Sequence, residues 1–308
     1  MFNIFPEWLY NKIAAEYLKD HIYEIRIRLG KPIIINYKGC YEKITIQERC
    51  VTKCVVATKD LINYIMGMAT KHSLYAYNHE VKQGFITTDS GIRVGICGEV
   101  VYDKGVVSTL KNITSLNIRI AHQVANCSSN IIDMIVQNKK VKNTLVISPP
   151  GAGKTTMVRD IIVKLSREKN IQNILVVDER FEIAGCGDYS FDLGHSVDVL
   201  SGAEKEYAFS KAIKTMSPSV IVTDEISSEN DIQEICQTAR SGVGVIATAH
   251  AENLNDLKKK KFLSKVIEDK IFERIIILSK RNGVGTVELV ADENLKGLYL
   301  SPLLWNWF

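Results

Sequence analysis

The densest chemistry in the chain lies in Ser148-Pro-Pro-Gly-Ala-Gly-Lys-Thr-Thr156, which directly follows the apolar run Thr144-Leu-Val-Ile147. A glycine-rich loop between a buried strand and a helix is a cradle for phosphate. Its residues Pro150, Gly151, Ala152, Gly153, Lys154, Thr155 and Thr156 can wrap a triphosphate, with the backbone N–H groups from Gly151 to Thr155 pointing at the oxygens. Lys154 reaches the β and γ phosphates, the Thr155 hydroxyl can hold Mg²⁺, and a helix over 155–169 turns its positive end toward the anion. The pattern ordinarily opens with glycine, and Ser148 stands in that place, where it tolerates a tight turn less readily. The motif points to binding of ATP or GTP.

Two acidic pairs end apolar runs downstream. Val220-Ile-Val-Thr-Asp-Glu225 offers Asp224 to hold Mg²⁺ through its water shell and Glu225 to polarise an attacking water. The competing role for Asp224 is to cap a helix beginning at Ser228. Val176-Val-Asp-Glu-Arg180, continuing Phe181-Glu-Ile-Ala-Gly185, presents a second pair, and either could serve the metal. Asp224-Glu225 is preferred because its strand lies further along, after a helical stretch at 204–216. Asp178, Glu179 and Arg180 would then flank the phosphates and a subunit seam, with surface ion pairing as the other reading. Val243-Gly-Val-Ile-Ala-Thr-Ala-His250 is a third such run, and Thr248 and His250 at its end are candidates to sense the γ-phosphate. Arginines recur in apolar runs of the first half: Arg26, Arg28, Arg93 and Arg119. Guanidinium grips phosphate bidentately, so Arg93 and Arg119 suit transition-state stabilisation across a seam, against plain exposure to solvent.

The elements that must position these groups fall into two halves divided at the polar stretch 137–143, giving domains 1–138 and 139–308. Before it, alternating strands read at 23–28, 33–37, 85–88, 93–100 and 113–120, with Asp89-Ser-Gly91 as a hairpin turn and an amphipathic helix at 59–70. That half is α+β and mostly antiparallel. After the boundary, strands at 145–147, 174–177, 220–223 and 243–247 alternate with helices, which predicts an α/β domain with a mostly parallel sheet covered on both faces. Strands at 275–279 and 286–291 follow. The lysine run 258–261 reads as a solvated loop ahead of a binding patch.

At 308 residues the chain is long enough for two domains with cores of their own, and 46% hydrophobic content with 24% charged excludes a disordered or fibrous class. A net charge of +4 fits an acidic partner or a membrane surface but demonstrates neither. The seven cysteines include Cys50 and Cys54 at a close spacing with no second pair, so reduced thiols are the better reading than zinc. Pro6 and Glu7 interrupt the N-terminal apolar residues, so no signal peptide is expected, and no apolar run approaches the ~18 residues of a membrane span. Phe2, Ile4, Phe5, Trp8, Leu9 and Ile13 form an amphipathic start that more readily closes its own domain than touches a membrane. A nucleic-acid-binding RecA-like ATPase is the alternative function. It requires a basic groove with stacking aromatics, which the modest charge disfavours, so nucleic acid is not expected as a partner. A nucleotide-gated scaffold with little turnover is a third reading.

Several segments taken together resemble the stage III sporulation protein AA family, relatives of the hexameric secretion ATPases of type II and type IV systems. They are Glu24-Ile-Arg-Ile-Arg-Leu-Gly-Lys-Pro32, Gly91-Ile-Arg-Val-Gly95, Asn117-Ile-Arg-Ile120, Pro149 through Thr156, Val177-Asp-Glu-Arg180 with Glu182-Ile-Ala-Gly185, Val222 through Glu225, Gly244 through His250, and Phe272-Glu-Arg274. Asp178-Glu179 and His250 look like counterparts of the acidic and histidine boxes of secretion ATPases. The resemblance implies a RecA-like P-loop ATPase core behind a smaller N-terminal domain, using ATP and Mg²⁺. It further implies a homo-oligomeric, hexameric ring, cytoplasmic and peripherally bound on the mother-cell side to a membrane-embedded channel or secretion complex joining mother cell and forespore.

Overall fold

The computed structural model describes residues 3–18, 21–48, 51–73, 76–88, 92–120, 123–171, 173–186 and 189–301. The expected turn at 89–91 lies outside these, as do Phe2 and Cys50. The chain divides into two compact units, Met1–His122 with Cys186–Ser190, and Gln123–Gly185 with Phe191–Phe308.

In the first unit, strict alternation makes the strands. β1 (Ile22–Arg28) buries Ile25 and Ile27 and sends Glu24, Arg26 and Arg28 to the opposite face. With β2 (Ile34–Tyr37), β3 (Cys40–Lys43), β4 (Phe85–Thr87), β5 (Arg93–Asp103) and β6 (Val106–Arg119) it forms an antiparallel sheet in the order β3-β2-β1-β6-β5-β4. Helix α1 (Glu7–Glu16) contributes Leu9 and Ile13, and α2 (Lys59–Ala69) contributes Leu61, Ile62, Ile65 and Met66, to the core under the apolar face. Thr58 caps α2 by accepting from the Leu61 amide at 3.2 Å. A hairpin of Thr45–Glu48 with Val51–Cys54 and a short helix, Asn78–Lys82, are additions that the sequence pattern does not announce.

The second unit is built on an eight-stranded sheet in the order β9-β8-β10-β11-β7-β12-β13-β14. These are β7 (Thr144–Ser148), β8 (Ile174–Asp178), β9 (Val197–Ser201), β10 (Val220–Glu225), β11 (Gly244–His250), β12 (Arg274–Ser279), β13 (Thr286–Asp292) and β14 (Gly297–Leu300). All neighbours from β9 to β12 are parallel, and β13 and β14 add antiparallel. β7 and β8 are buried along their whole length, as continuous apolar strands covered on both faces must be. One face packs on α3 (Lys154–Leu165) through Met157, Val158, Ile161 and Ile162. The other packs on Phe209 of α4 (Lys205–Met216) and Ile232 and Ile235 of α5 (Glu229–Arg240). The edge strands β9 and β14 escape a sequence reading because they are short and largely exposed. The lysine run is not a loop: Lys258 and Lys259 end one helix, Leu254–Lys259, and Lys261 begins another, Lys261–Glu268.

The division between units falls after His122 rather than at 137–143, and the reason is local. Asp160, buried in the middle of α3, accepts from the Asn126 amide at 2.8 Å, the Ser128 amide at 2.7 Å and the Ser128 hydroxyl at 2.6 Å. Ile131 and Ile135 enter the same core as α3. Residues from 123 onward are thus tied to the second unit before the polar stretch is reached. Asp160→Ala, which orphans three donors, is expected to cost about 3 kcal/mol. Urea unfolding of the full chain checks this; an unchanged midpoint contradicts the role, and Asp160→Asn is expected to lose less.

Candidate functional site

Ser148 ends β7 in register with His250 at the end of β11, so the two strands deliver the loop and the histidine to one edge of the sheet. Gly151 and Gly153 take φ of 69° and 89°, the left-handed region that glycine enters at no steric cost. Ser148 needs no such conformation. It is fully buried at the strand end, and its hydroxyl donates to the Pro149 carbonyl at 2.7 Å, so its departure from glycine leaves the loop intact. Gly153 precedes α3, and Lys154 and Thr155 form that helix's first turn, where amides are unpaired and the dipole is positive.

Lys154 is buried, and its Nζ donates to His250 Nδ1 at 2.7 Å. With Nδ1 accepting, the ring proton sits on Nε2, which faces Glu225 Oε2 at 3.5 Å. Arg180 approaches the same Glu225 oxygen at 3.4 Å. Lys260, from the lysine run, donates to the His250 carbonyl. Burial drives the Lys154 ammonium down to about 8; Glu225 and Glu182 oppose that shift and Lys260 adds to it.

Between Val222 and Glu225 the pairing of β10 with β11 slips by one residue, setting Glu225 opposite Thr248. Such a bulge re-aims side chains. It sends Asp224 inward, 5% exposed, and Glu225 outward toward His250. Asp224 does not cap the next helix; Ser228 does, in a capping box with Asp231. Neither Asp224 oxygen completes a well-angled hydrogen bond, although Oδ1 stands 2.7 Å from Lys205 Nζ. Burial raises the Asp224 carboxyl above its usual range against the pull of Lys205. An inward carboxylate with an oxygen unspoken for, in the sheet that carries the phosphate loop, fits the water shell of a divalent cation. Asp224 and the Thr155 hydroxyl are the residues that would hold Mg²⁺ here.

The second acidic pair divides its labour. Asp178, fully buried, accepts from the amides of Glu182, Ile183 and Ala184 at 2.8, 3.0 and 2.8 Å, so it braces a turn and does not flank phosphates. Arg159 of α3 holds the same turn from its other side, donating to the carbonyls of Glu182 and Ile183. Glu179 instead meets Lys205 at 2.7 Å. Lys205 is the functional residue that motif reading misses. It is 4% exposed and bridges Glu179 and Asp224, and these carboxylates outweigh burial to raise its pKa. The available signal was a lysine opening a helix, where the dipole disfavours a cation. Lys280 is also missed. Its Nζ lies 3.1 Å from where a Cβ on Gly151 would stand, and the Gly285 amide donates to the Ala152 carbonyl at 3.1 Å, so the turn between β12 and β13 lies on the phosphate loop.

Lys154, Glu179, Asp224, Glu225 and His250 are therefore gathered on the sheet of the second unit. Arg93 and Arg119 belong to the first, as cross-strand partners on the polar face of its sheet; Arg119 also pairs in register with Glu24, and Arg93 stacks 3.9 Å over Phe85.

Stage III sporulation protein AA of Bacillus subtilis (strain 168) is 33% identical over 298 residues, 94% of each chain. In fold, the chain is similar to the ATPase DotB of Yersinia pseudotuberculosis, with a TM-score of 0.60, 16% identity and coverage of 88% of this chain and 74% of that one. It is also similar to the pilus retraction motor PilT with bound ADP, with a TM-score of 0.56, 15% identity and coverage of 96% and 84%. The sheet, the loop and the acidic strand ends thus sit in a fold shared with the ATPase DotB and the pilus retraction motor PilT. The family described as "Sporulation stage III, protein AA" matches residues 9–298, and the chain belongs to that family.

Proposed function

We propose that the protein is a Mg²⁺-dependent ATPase with a RecA-like core, acting as a ring-forming, hexameric homo-oligomer. In this reading it sits on the mother-cell side of a membrane-embedded channel or secretion complex and energises it during endospore formation. No helix among the described residues is long and apolar enough to cross a membrane. The observation that carries the reading is the continuous contact Lys154–His250–Glu225 beside an inward Asp224.

The chemistry follows from that arrangement. The amides of Gly151 to Thr155 and the Lys154 ammonium bind the β and γ phosphates. Mg²⁺, when bound, supplies charge neutralisation at those phosphates. Glu225 orients the attacking water and accepts its proton. His250 ends β11 in contact with Lys154 at 2.7 Å, which suits it to report the arrival of a γ-phosphate to β11. Arg93 and Arg119 act on the transferring phosphoryl group across a seam. The two arginines are cross-strand partners on one face of the sheet, and a planar guanidinium suits a phosphoryl oxygen pair. The likeness to the ATPase DotB and to the pilus retraction motor PilT supports the motor reading at the level of fold.

Lys154→Met is expected to abolish binding of a fluorescent ATP analogue, whereas Glu225→Gln binds it and turns over at least about 100-fold more slowly. Normal single-turnover hydrolysis in Glu225→Gln sinks the base assignment. Arg93→Ala and Arg119→Ala are each expected to keep ATP affinity and lose hydrolysis by about 1,000-fold. In wild type, specific activity should rise with protein concentration as sites are completed by assembly. Unchanged hydrolysis in both arginine variants removes them from the mechanism.

The Lys154 ammonium also gives the protein a pH signature. The Lys154 ammonium titrates at about 8 when folded and at the ordinary 10.5 when unfolded, so the unfolded chain binds this proton more tightly. Wild-type stability therefore rises as pH climbs from 8 toward 10.5, and the burial penalty is full below 8. Nucleotide-free Lys154→Met is expected to melt above wild type at neutral pH, by a margin that narrows at alkaline pH. Differential scanning calorimetry that finds the margin widening contradicts this electrostatic picture.

A further inference from the structure

Lys205 occupies a position that ordinary folding rules do not favour. It is the first residue of α4, at the helix end whose dipole repels cations, and its side chain is 4% exposed. A buried ammonium needs close carboxylates, and it has two: Glu179 Oε2 from the end of β8 and Asp224 Oδ1 from β10, each at 2.7 Å. β8 and β10 are neighbours in the sheet, so the lysine spans their two acidic ends from above. Asp224 Oδ2 is buried and has no hydrogen-bond partner among the described residues.

We infer that Lys205 is a positioning residue for the divalent cation of the nucleotide site. Its ammonium binds one oxygen of Asp224 and thereby fixes the rotamer that presents the other to the cation's water shell. Glu179 anchors the ammonium from the far side, so the acidic pair acts by setting Lys205 and not by touching phosphate. Three observations converge on this: the ion contact of Oδ1 with Lys205, a buried Oδ2 with no ion contact or hydrogen bond among the described residues, and a cation at an electrostatically disfavoured helix start. A lysine present only to neutralise charge would need one carboxylate and no defined orientation. Groups that orient a metal site's side chains in this way typically change metal affinity by about 10–100-fold when removed.

The inference rests on the nucleotide-site reading above, and the test separates the two. Mg²⁺ is titrated into wild type and Lys205→Met, each holding a fluorescent, non-hydrolysable ATP analogue, and affinity for the analogue is also measured in EDTA. Lys205→Met is expected to need at least about 10-fold more Mg²⁺ for the half-maximal response while its affinity in EDTA stays at the wild-type level. A purely structural role would lower both together. A folded Lys205→Met with the wild-type Mg²⁺ midpoint overturns the inference, as does a parallel loss in EDTA. If Lys205→Met does not fold, Glu179→Gln removes one anchor of the ammonium and is expected to shift the midpoint in the same direction by less; no shift overturns the inference equally. Failure of wild type to bind the analogue with or without Mg²⁺ would instead overturn the nucleotide-site reading.

Discussion

A parallel sheet covered on both faces has nowhere to put charge except the ends of its strands, and this constraint organises the second unit. β7, β8, β10 and β11 are buried almost throughout, so an ionised group inside them would face a desolvation penalty of several kcal/mol. Polar chemistry is therefore pushed to their carboxyl ends, and the register decides which groups meet there. Pairing of Ser148 with His250 brings the lysine that follows the loop against the histidine. The one-residue slip in β10 turns Asp224 inward and Glu225 outward. Had that pairing run without a slip, the two carboxylates would have exchanged faces, since side chains alternate along a strand.

Charge at this edge is arranged as two partly separate systems. Lys205 is matched by two carboxylates at 2.7 Å, and its pKa rises despite burial. Lys154 is matched by a neutral imidazole at the same distance, and its pKa falls. Lys154 also reaches the Ser148 carbonyl and hydroxyl, so its partners are neutral acceptors whereas those of Lys205 are carboxylates. At an effective dielectric near 20, a unit charge at 4 Å is worth about 4 kcal/mol, so an ammonium held by neutral groups is a standing attraction for an anion. The amides of the α3 first turn point the same way. The deficit is also specific in place, because Arg180 and Lys260 already occupy the neighbouring acceptors on Glu225 and His250.

What the sequence made legible was local. The phosphate loop, the acidic strand ends and His250 are each defined by a few consecutive residues, and apolar periodicity sufficed to find the strands and helices that carry them. Three features depended on contacts far apart in sequence and could not be read. The division between the units follows from Asp160 seizing the amides of Asn126 and Ser128, whereas the polar stretch 137–143 that suggested a boundary contains only a short hairpin, Val136–Gln137 with Lys140–Val141. Asp178 and Glu179 are adjacent in a motif but opposite in fate, one ending the strand and bracing a turn, the other in the turn that follows and gripping Lys205. Lys205 itself gave only the weak signal of a lysine opening a helix. Its role exists only once β8, β10 and α4 are assembled.

The first unit shows the same logic on an open surface. Its sheet buries Ile25, Ile27, Val94 and Ile118 on one face and leaves Glu24, Arg26, Arg28, Arg93 and Arg119 on the other. On that face Glu24, Arg119 and Arg93 stand side by side across three strands. Glu24 also accepts from Arg26 Nε at 2.5 Å. Stacking of Arg93 over Phe85 favours holding that guanidinium in place, which lowers the entropy lost when it meets an anion. A polar face needing only solubility would interleave its charges; this one concentrates arginine, the side chain whose planar fork matches a phosphoryl group.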